Sequence, residues 1–110
     1  LGLRGRAPVP GLELICSSYD SRQEVLGTYP ETVGIFERIS RHSWVSLRHG
    51  VDAVRLEDQL AGELFDVVCW NHPHLGVEDC KAHSALLAHF FFSASKILRP
   101  NGAIVVALLA

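Results

Sequence analysis

The chain has 110 residues, 48% of them hydrophobic, with a formal net charge of −2 at pH 7. That length suits one small domain with a core, and the charge excludes the broad basic surface typical of nucleic-acid-binding proteins. Any contact with RNA must therefore involve a local patch or be made by polypeptide outside this sequence. The 3 cysteines indicate no disulfide framework, which favours a reducing, intracellular setting.

The start of the chain, LGLRGRAPVPG over residues 1–11, has the composition of a loop or linker. It lacks the apolar segment of a secretory signal. No apolar stretch is long enough to span a bilayer, so no membrane partner is expected. Methionine is absent, even at position 1, and we therefore expect a fragment or a processed product.

The first half of the chain predicts two strands with two helices between them. Residues 12–17, LELICS, form a short apolar run that is typical of a strand. Ser21 and Glu24 have the S-x-x-E spacing of a capping box, which predicts a helix start. A second helix is expected to begin at Pro30, which suits a first helical turn. Alternating residues predict the next strand near 44–48.

The second half begins with a weak helix or a loop at 56–61. The run FDVVCW over residues 65–70 predicts a buried strand, and residues 81–98 carry apolar side chains at helical spacing. The sequence RPNG at 99–102 predicts a turn, and the apolar residues 103–109 predict a last strand.

The predicted order of elements is therefore β-α-α-β-(α)-β-α-β. Apolar strands that alternate with helices indicate an α/β fold with a mostly parallel, Rossmann-like sheet of four strands and helices on both faces. Such folds usually open with a strand and a glycine-rich turn. Only linker-like sequence precedes Leu12, and the chain stops at the end of a strand. We expect residues 12–110 to be a partial domain, incomplete at both ends.

A polar loop, Asn71-His72-Pro73-His74, follows the strand at 65–70. Open α/β sheets place their chemistry outside the carboxyl ends of the strands. Pro73 stiffens the loop and favours extended geometry at His72. The loop is therefore a candidate site, and the alternative is a proline turn with surface histidines.

Four segments resemble one known family in their order and spacing. They are ICSSYDSRQEVLGTYPE, HGVDAVRLED, FDVVCWNHPHLGVED and LLAHFFFSASKILRPNGAIVVAL. The family is the Rossmann-like methyltransferase domain of the 25S rRNA (uridine-N(3)) methyltransferases, and the similarity covers roughly residues 12–109. This resemblance implies S-adenosylmethionine as the cofactor of the parent protein. The family's Gly-Glu-Gly-x-Phe-Ser-Phe loop is not found in this sequence, so we expect no useful cofactor affinity in the isolated chain.

The resemblance also implies which residues contact the cofactor. Tyr19 and Asp20 close the first strand, where an acidic residue accepts hydrogen bonds from the ribose hydroxyls. Asp52 matches the acidic position that contacts the adenine amino group, and the adjacent Ala53 is counted among the cofactor-binding residues. The alternatives are structural: Asp20 could help to start a helix beside Ser21, and Asp52 could form an Asx turn.

Catalytic roles implied by the resemblance fall on Asn71, Pro73 and His74, in the loop that meets the target base. Methylation of uridine N3 removes a ring proton, and an imidazole can accept a proton near neutral pH, so His74 is the candidate base. Asn71 could orient the base through its amide. The alternative is a loop that only packs against a glycine-rich segment. His72 stands where the family pattern has an apolar residue.

The same loop also raises the question of a zinc site. Cysteine and histidine are zinc ligands, and four such residues fall within a short stretch: Cys69, His72, His74 and Cys80. Their spacing fits no common zinc module, so we predict no metal.

The sequence therefore predicts a domain of an S-adenosylmethionine-dependent RNA methyltransferase that modifies a uridine of ribosomal RNA. The alternative is a catalytically inactive, methyltransferase-like structural or assembly component of a ribosome or other ribonucleoprotein. Expected partners are ribosomal RNA or a ribonucleoprotein, and further chain or a partner protein that covers the sheet edge. The family suggests the nucleolus or nucleus, with the mitochondrion as the alternative.

Overall fold

The structure is a computed structural model that describes residues 9–71, 73 and 79–108. Their secondary structure follows the predicted order. The elements are β1 (Leu14–Ser17), α1 (Arg22–Thr28), α2 (Thr32–Ser40), β2 (Val45–Arg48), α3 (Leu56–Gln59), β3 (Phe65–Asn71), α4 (Cys80–Ser95) and β4 (Leu98–Ala107). The chain divides into two compact units, with the boundary between Val51 and Asp52. The fold is therefore mixed α/β, and each unit is described by itself.

The first unit is built on the parallel pair β1–β2, in a register that runs from Leu14 opposite Val45 to Ser17 opposite Arg48. Helix α1 follows β1, and its capping box is present as predicted. The Ser21 hydroxyl accepts from the Glu24 amide, and the Ser21 amide donates to the Glu24 carboxylate, each at 3.1 Å. Two amides at the helix start are satisfied in this way, which fixes where α1 begins.

Helix α2 begins at Thr32, two residues after the position expected from Pro30. The cause is a turn at the end of α1. The Tyr29 carbonyl accepts both the amide of Thr32, at 2.9 Å, and its hydroxyl, at 2.7 Å. Thr32 thereby starts the helix, and Pro30 lies in the preceding turn.

The second unit is built on the parallel pair β3–β4. Helix α4 packs on one face of this pair, where the rings of Trp70 and Phe90 meet edge to face at 4.8 Å between centroids. Helix α3 adds two apolar side chains to the same core. The buried residues are Leu56, Leu60, Phe90, Ser93, Ala94 and Ile97. The four strands of the described residues thus form two two-stranded parallel sheets, and the prediction of one four-stranded sheet is wrong in this respect, whereas the parallel pairing is confirmed.

Strand β3 was predicted to be buried, and this prediction is wrong for one of its faces. Val67 is 51% exposed and Cys69 is exposed, as is Val105 of the adjacent strand β4. Successive side chains of a strand point to opposite faces. Trp70 lies on the face that α4 covers, whereas no described residue buries the face of Val67 and Cys69.

The end of α4 also differs from the prediction. The helix stops at Ser95, and strand β4 already begins at Leu98, which pairs with Phe65. The Phe65 amide donates to the Ile97 carbonyl at 2.8 Å, so strand pairing competes with the last helical turn. Ile97 remains in the core, with 3% exposure, although it is no longer helical.

The segment 99–102, predicted as a turn, is an irregular part of β4. The register shifts between Phe65 and Val67, and Asn101 has φ +68°, in the left-handed region. Next to it, the Gly102 Cα lies close to other backbone atoms. A Cβ at this position would come within 2.9 Å of the Arg99 carbonyl oxygen and 3.0 Å of the Asp66 carbonyl oxygen. Only glycine fits here without a backbone shift.

Replacing Gly102 by alanine is expected to destabilise the fold, because two of the three crowding atoms belong to the backbone and cannot rotate away. Overpacking of this kind costs about 1–3 kcal/mol. The matched control is Gly34→Ala within α2, where an added Cβ meets nothing within 4 Å. Alanine there should be neutral or stabilising by up to about 1 kcal/mol. Urea unfolding monitored by tryptophan fluorescence compares the two variants, and equal midpoints would contradict the expectation.

Candidate functional site

The carboxyl ends of β1 and β2 lie at one edge of the first unit, because Ser17 is paired with Arg48 in a parallel register. Main-chain hydrogen bonds join the loops that follow. The Ser18 amide donates to the Arg48 carbonyl at 3.1 Å, and the Val51 amide donates to the Ser18 carbonyl at 2.9 Å. The Gly50 amide donates to the Asp20 carbonyl at 3.2 Å. The two loops are thus held together by their backbones.

Gly50 makes this joining possible because of its conformation. Its φ is +69°, in the left-handed region where glycine has no steric penalty. This turn directs its amide toward Asp20. The isolated glycine that follows β2 is therefore needed for the geometry of the loop.

Tyr19 and Asp20 are at the exposed tip of the first loop. Tyr19 is 76% exposed, and Asp20 is exposed as well. The helix-starting role considered for Asp20 belongs instead to Ser21, whose hydroxyl caps α1. The main chain of Asp20 is fixed while its carboxylate faces solvent. An exposed carboxylate offers two acceptor oxygens to a pair of neighbouring hydroxyls.

A serine–histidine contact supports the same loop, and the sequence did not predict it. The Ser18 hydroxyl donates to the Asp20 carbonyl at 2.8 Å, and Ser18 Oγ lies 2.8 Å from His49 Nδ1. The other ring nitrogen, His49 Nε2, is buried without a hydrogen-bond partner among the described residues. The two residues are 31 positions apart, so only the strand pairing reveals that they meet.

Asp52 and Ala53 lie in a turn at the start of the second unit. The Asp52 Oδ1 accepts from the Val54 amide at 3.0 Å, and the Asp52 amide donates to Gln59 Oε1 at 2.6 Å. The structural alternative for Asp52, an Asx turn, is therefore present. The second carboxylate oxygen, Oδ2, takes no part in these bonds. Ala53 is half-buried beside it.

Helix α3, which follows this turn, depends on a residue of α4. Its own N-cap residue, Arg55, makes no side-chain capping bond. Instead, the buried Ser93 accepts from the Leu56 amide at 2.7 Å and donates to the Glu57 carboxylate at 3.0 Å. Ser93 is 37 positions away from Leu56, so no local sequence pattern marks it as a cap. The Asp52 turn is thereby connected to the core.

Asn71 and Pro73 lie at the carboxyl end of β3. Asn71 is exposed and is paired with Ala107, near the end of β4. Pro73 is half-buried. The two histidines of this loop, His72 and the predicted base His74, lie outside the described residues.

Among residues 9–71, 73 and 79–108, no three histidine, cysteine, aspartate or glutamate side chains are placed to hold a metal ion. No described helix is both long and apolar enough to cross a membrane.

Removing the Ser93 hydroxyl should destabilise the second unit, because it leaves the Leu56 amide buried without an acceptor. An unsatisfied buried group costs about 1–3 kcal/mol. The matched control is Ser95→Ala, since Ser95 is exposed on the same helix and only donates to the Phe92 carbonyl, at 2.6 Å. Surface changes of that kind stay within about 0.5 kcal/mol. Urea midpoints and hydrogen exchange of the Leu56 amide provide the measurement, and equal loss in both variants would refute the capping role.

Comparison with known proteins supplies the family. A sequence model of the family described as rRNA (uridine-N3-)-methyltransferase BTM5-like matches residues 4–110. Heavy metal-associated isoprenylated plant protein 41 from Arabidopsis thaliana is 34% identical over 103 residues, which cover 84% of this chain and 20% of that protein. The chain thus spans about a fifth of the length of this curated relative. No solved structure matches the chain. Because the match extends over almost all of its residues, the chain belongs to the rRNA (uridine-N3-)-methyltransferase BTM5-like family.

Proposed function

We propose that this chain is part of an S-adenosylmethionine-dependent methyltransferase that modifies a uridine of ribosomal RNA. The observation that carries the proposal is the loop after β1, where the backbone of Asp20 is fixed and its carboxylate is exposed. Family membership supplies the reaction class. The expected nucleolar or nuclear location, with the mitochondrion as the alternative, belongs to the same proposal.

The cofactor's ribose is assigned to Asp20, with Tyr19 beside it. Two vicinal hydroxyls need two acceptors in a fixed position, and a carboxylate provides them. The hydrogen bonds from Ser18 and Gly50 to the Asp20 carbonyl position the residue before any ligand arrives. Such preorganisation lowers the entropic cost of binding.

The adenine is assigned to Asp52 and Ala53. The Asx turn engages only Oδ1, so Oδ2 is left to accept a hydrogen bond from the adenine amino group. The structural and the ligand-binding roles of Asp52 are therefore compatible. The methionine end of the cofactor needs backbone donors from a glycine-rich turn at a helix start, which this sequence does not supply.

The strand pairing supports a Rossmann-like assignment. In a doubly wound sheet of order 3-2-1-4-5, strands 2 and 3 are hydrogen bonded in parallel, and so are strands 4 and 5. The pairs β1–β2 and β3–β4 have these relationships. Each pair, taken by itself, therefore has the parallel pairing that a Rossmann-like methyltransferase requires.

Methyl transfer would use the loop after β3. His74 would accept the proton of uridine N3, and the freed N3 lone pair could then take up the methyl group that a bound S-adenosylmethionine would supply. Asn71 orients the base with its amide, and Pro73 limits the motion of the loop. The exposed position of Asn71 at the strand end leaves its amide accessible to a base.

The ribose assignment is tested in the natural full-length polypeptide with Asp20→Asn. Asparagine keeps the size but loses the charge and one acceptor oxygen, so affinity for S-adenosylmethionine should fall about 10- to 100-fold. The control is Glu31→Gln, which removes the same charge at an exposed position without a side-chain capping bond. Isothermal titration calorimetry measures both. Equal affinities in the two variants would refute the assignment.

If the wild-type polypeptide bound no cofactor but still associated with ribosomal particles, the role of an inactive assembly component would replace that of the enzyme. Sedimentation of the polypeptide with ribosomal particles, run beside the titration, separates these outcomes.

The catalytic assignment is tested with His74→Ala. Loss of a general base should lower the rate of methyl transfer about 10²- to 10⁴-fold with little change in cofactor affinity. The control is His89→Ala, which removes an exposed imidazole from α4. Transfer of a tritiated methyl group from S-adenosylmethionine to ribosomal RNA is the measurement. An unchanged rate in His74→Ala would exclude this residue as the base.

A further inference from the structure

We propose that His49 is a positioning residue for the ribose-binding loop, with its Nδ1–H donating to Ser18 Oγ so that Ser18 can hold the Asp20 carbonyl. The inference rests on the proposed function, because it assigns a role toward the same ribose. It adds a residue that the family resemblance did not point to, and it specifies the tautomer in which that residue acts.

The direction of the hydrogen bonds follows from counting hydrogens. A serine hydroxyl has one hydrogen to donate. Ser18 Oγ lies 2.8 Å from the Asp20 carbonyl oxygen and 2.8 Å from His49 Nδ1. A carbonyl oxygen can only accept, so the Ser18 hydrogen points to Asp20. The contact with His49 is then satisfied only when Nδ1 carries a hydrogen and donates it.

The other ring nitrogen does not distinguish the two tautomers. His49 Nε2 is buried and has no hydrogen-bond partner among the described residues, and the ring lies 5.3 Å from that of Phe36, between centroids. Nε2 is therefore unsatisfied as a donor in one tautomer and as an acceptor in the other. The difference lies at Ser18, because the Nε2–H tautomer would leave Nδ1 and the Asp20 carbonyl competing for one serine hydrogen. The Nδ1–H tautomer avoids this competition.

The consequence for the site is a chain of contacts that ends at Asp20. The imidazole fixes the Ser18 hydroxyl, and this hydroxyl and the Gly50 amide both donate to the Asp20 carbonyl. Gly50 directly follows His49, so one short segment after β2 supplies both supports. The backbone of the residue immediately before the helix cap is thereby held in place, and its carboxylate extends into solvent from a fixed main chain.

Two substitutions at position 49 separate hydrogen bonding from packing. His49→Asn places an amide nitrogen, a donor, near the position of Nδ1, whereas His49→Leu fills a similar volume without a donor. In the natural full-length polypeptide, we expect His49→Leu to weaken binding of S-adenosylhomocysteine about tenfold, the effect of losing one hydrogen bond worth about 1.4 kcal/mol. His49→Asn should stay within about threefold of wild type, because its donor is retained. Ser18→Ala should reproduce the leucine effect, and the double variant should show no further loss.

A second ligand distinguishes positioning from general damage. The 2′,3′-dideoxy analogue of S-adenosylhomocysteine has no ribose hydroxyls, so the wild-type preference for the parent compound measures the ribose contact alone. His49→Leu should reduce this preference, whereas a purely structural defect would weaken both ligands equally and overturn the inference. Nitrogen-15 NMR of labelled histidine should report hydrogen on Nδ1 of His49, and hydrogen on Nε2 would also overturn it. Wild-type polypeptide without any cofactor binding would instead refute the proposed function.

Discussion

The parallel register of β1 and β2 is the constraint on which the candidate ribose site depends. Ser17 lies opposite Arg48, so both strands end at the same level and their loops leave the sheet side by side. This arrangement allows the amides of Ser18, Gly50 and Val51 to donate to carbonyl oxygens of the neighbouring segment. A shift of one residue would turn every side chain of the moved strand to the opposite face and separate these partners. The position of Asp20 is therefore a property of the sheet, although the residue itself is exposed.

In the second unit, the corresponding constraint is a buried hydroxyl. A helix as short as α3 is not stable by itself in water. It is held by burial of Leu56 and Leu60 and by Ser93, which satisfies the Leu56 amide. The Asp52 turn is in turn joined to α3 through Gln59. Ser93, a polar residue inside the core, thus supports the geometry of a surface turn. This role explains why a serine stands in the middle of an apolar helix face.

The order of elements and the start of α1 could be predicted because their signals are local. Ser21 and Glu24 are three residues apart, and their hydrogen bonds involve only each other. The contacts of His49 and Ser93 could not be predicted, since each joins residues more than 30 positions apart. The prediction that β3 is buried was wrong for one face, because the apolar composition of a strand does not show which of its two faces another element covers. The end of α4 was misplaced because helical periodicity continues through Ile97, while pairing of Leu98 with Phe65 determines where the chain becomes a strand.

Asp20 and Asp52, which we propose as cofactor contacts, lie in different units and differ in how far the local fold depends on their carboxylates. The Asp52 carboxylate already supports a turn through the Val54 amide, so any substitution there changes the local fold together with the ligand contact. At Asp20, the hydrogen bonds that fix the residue reach its carbonyl, while the neighbouring Ser21 caps the helix. The side chain can therefore be altered while the loop keeps its backbone contacts. A loss of cofactor affinity on changing Asp20 reports on recognition, whereas the same loss at Asp52 would mix recognition with stability.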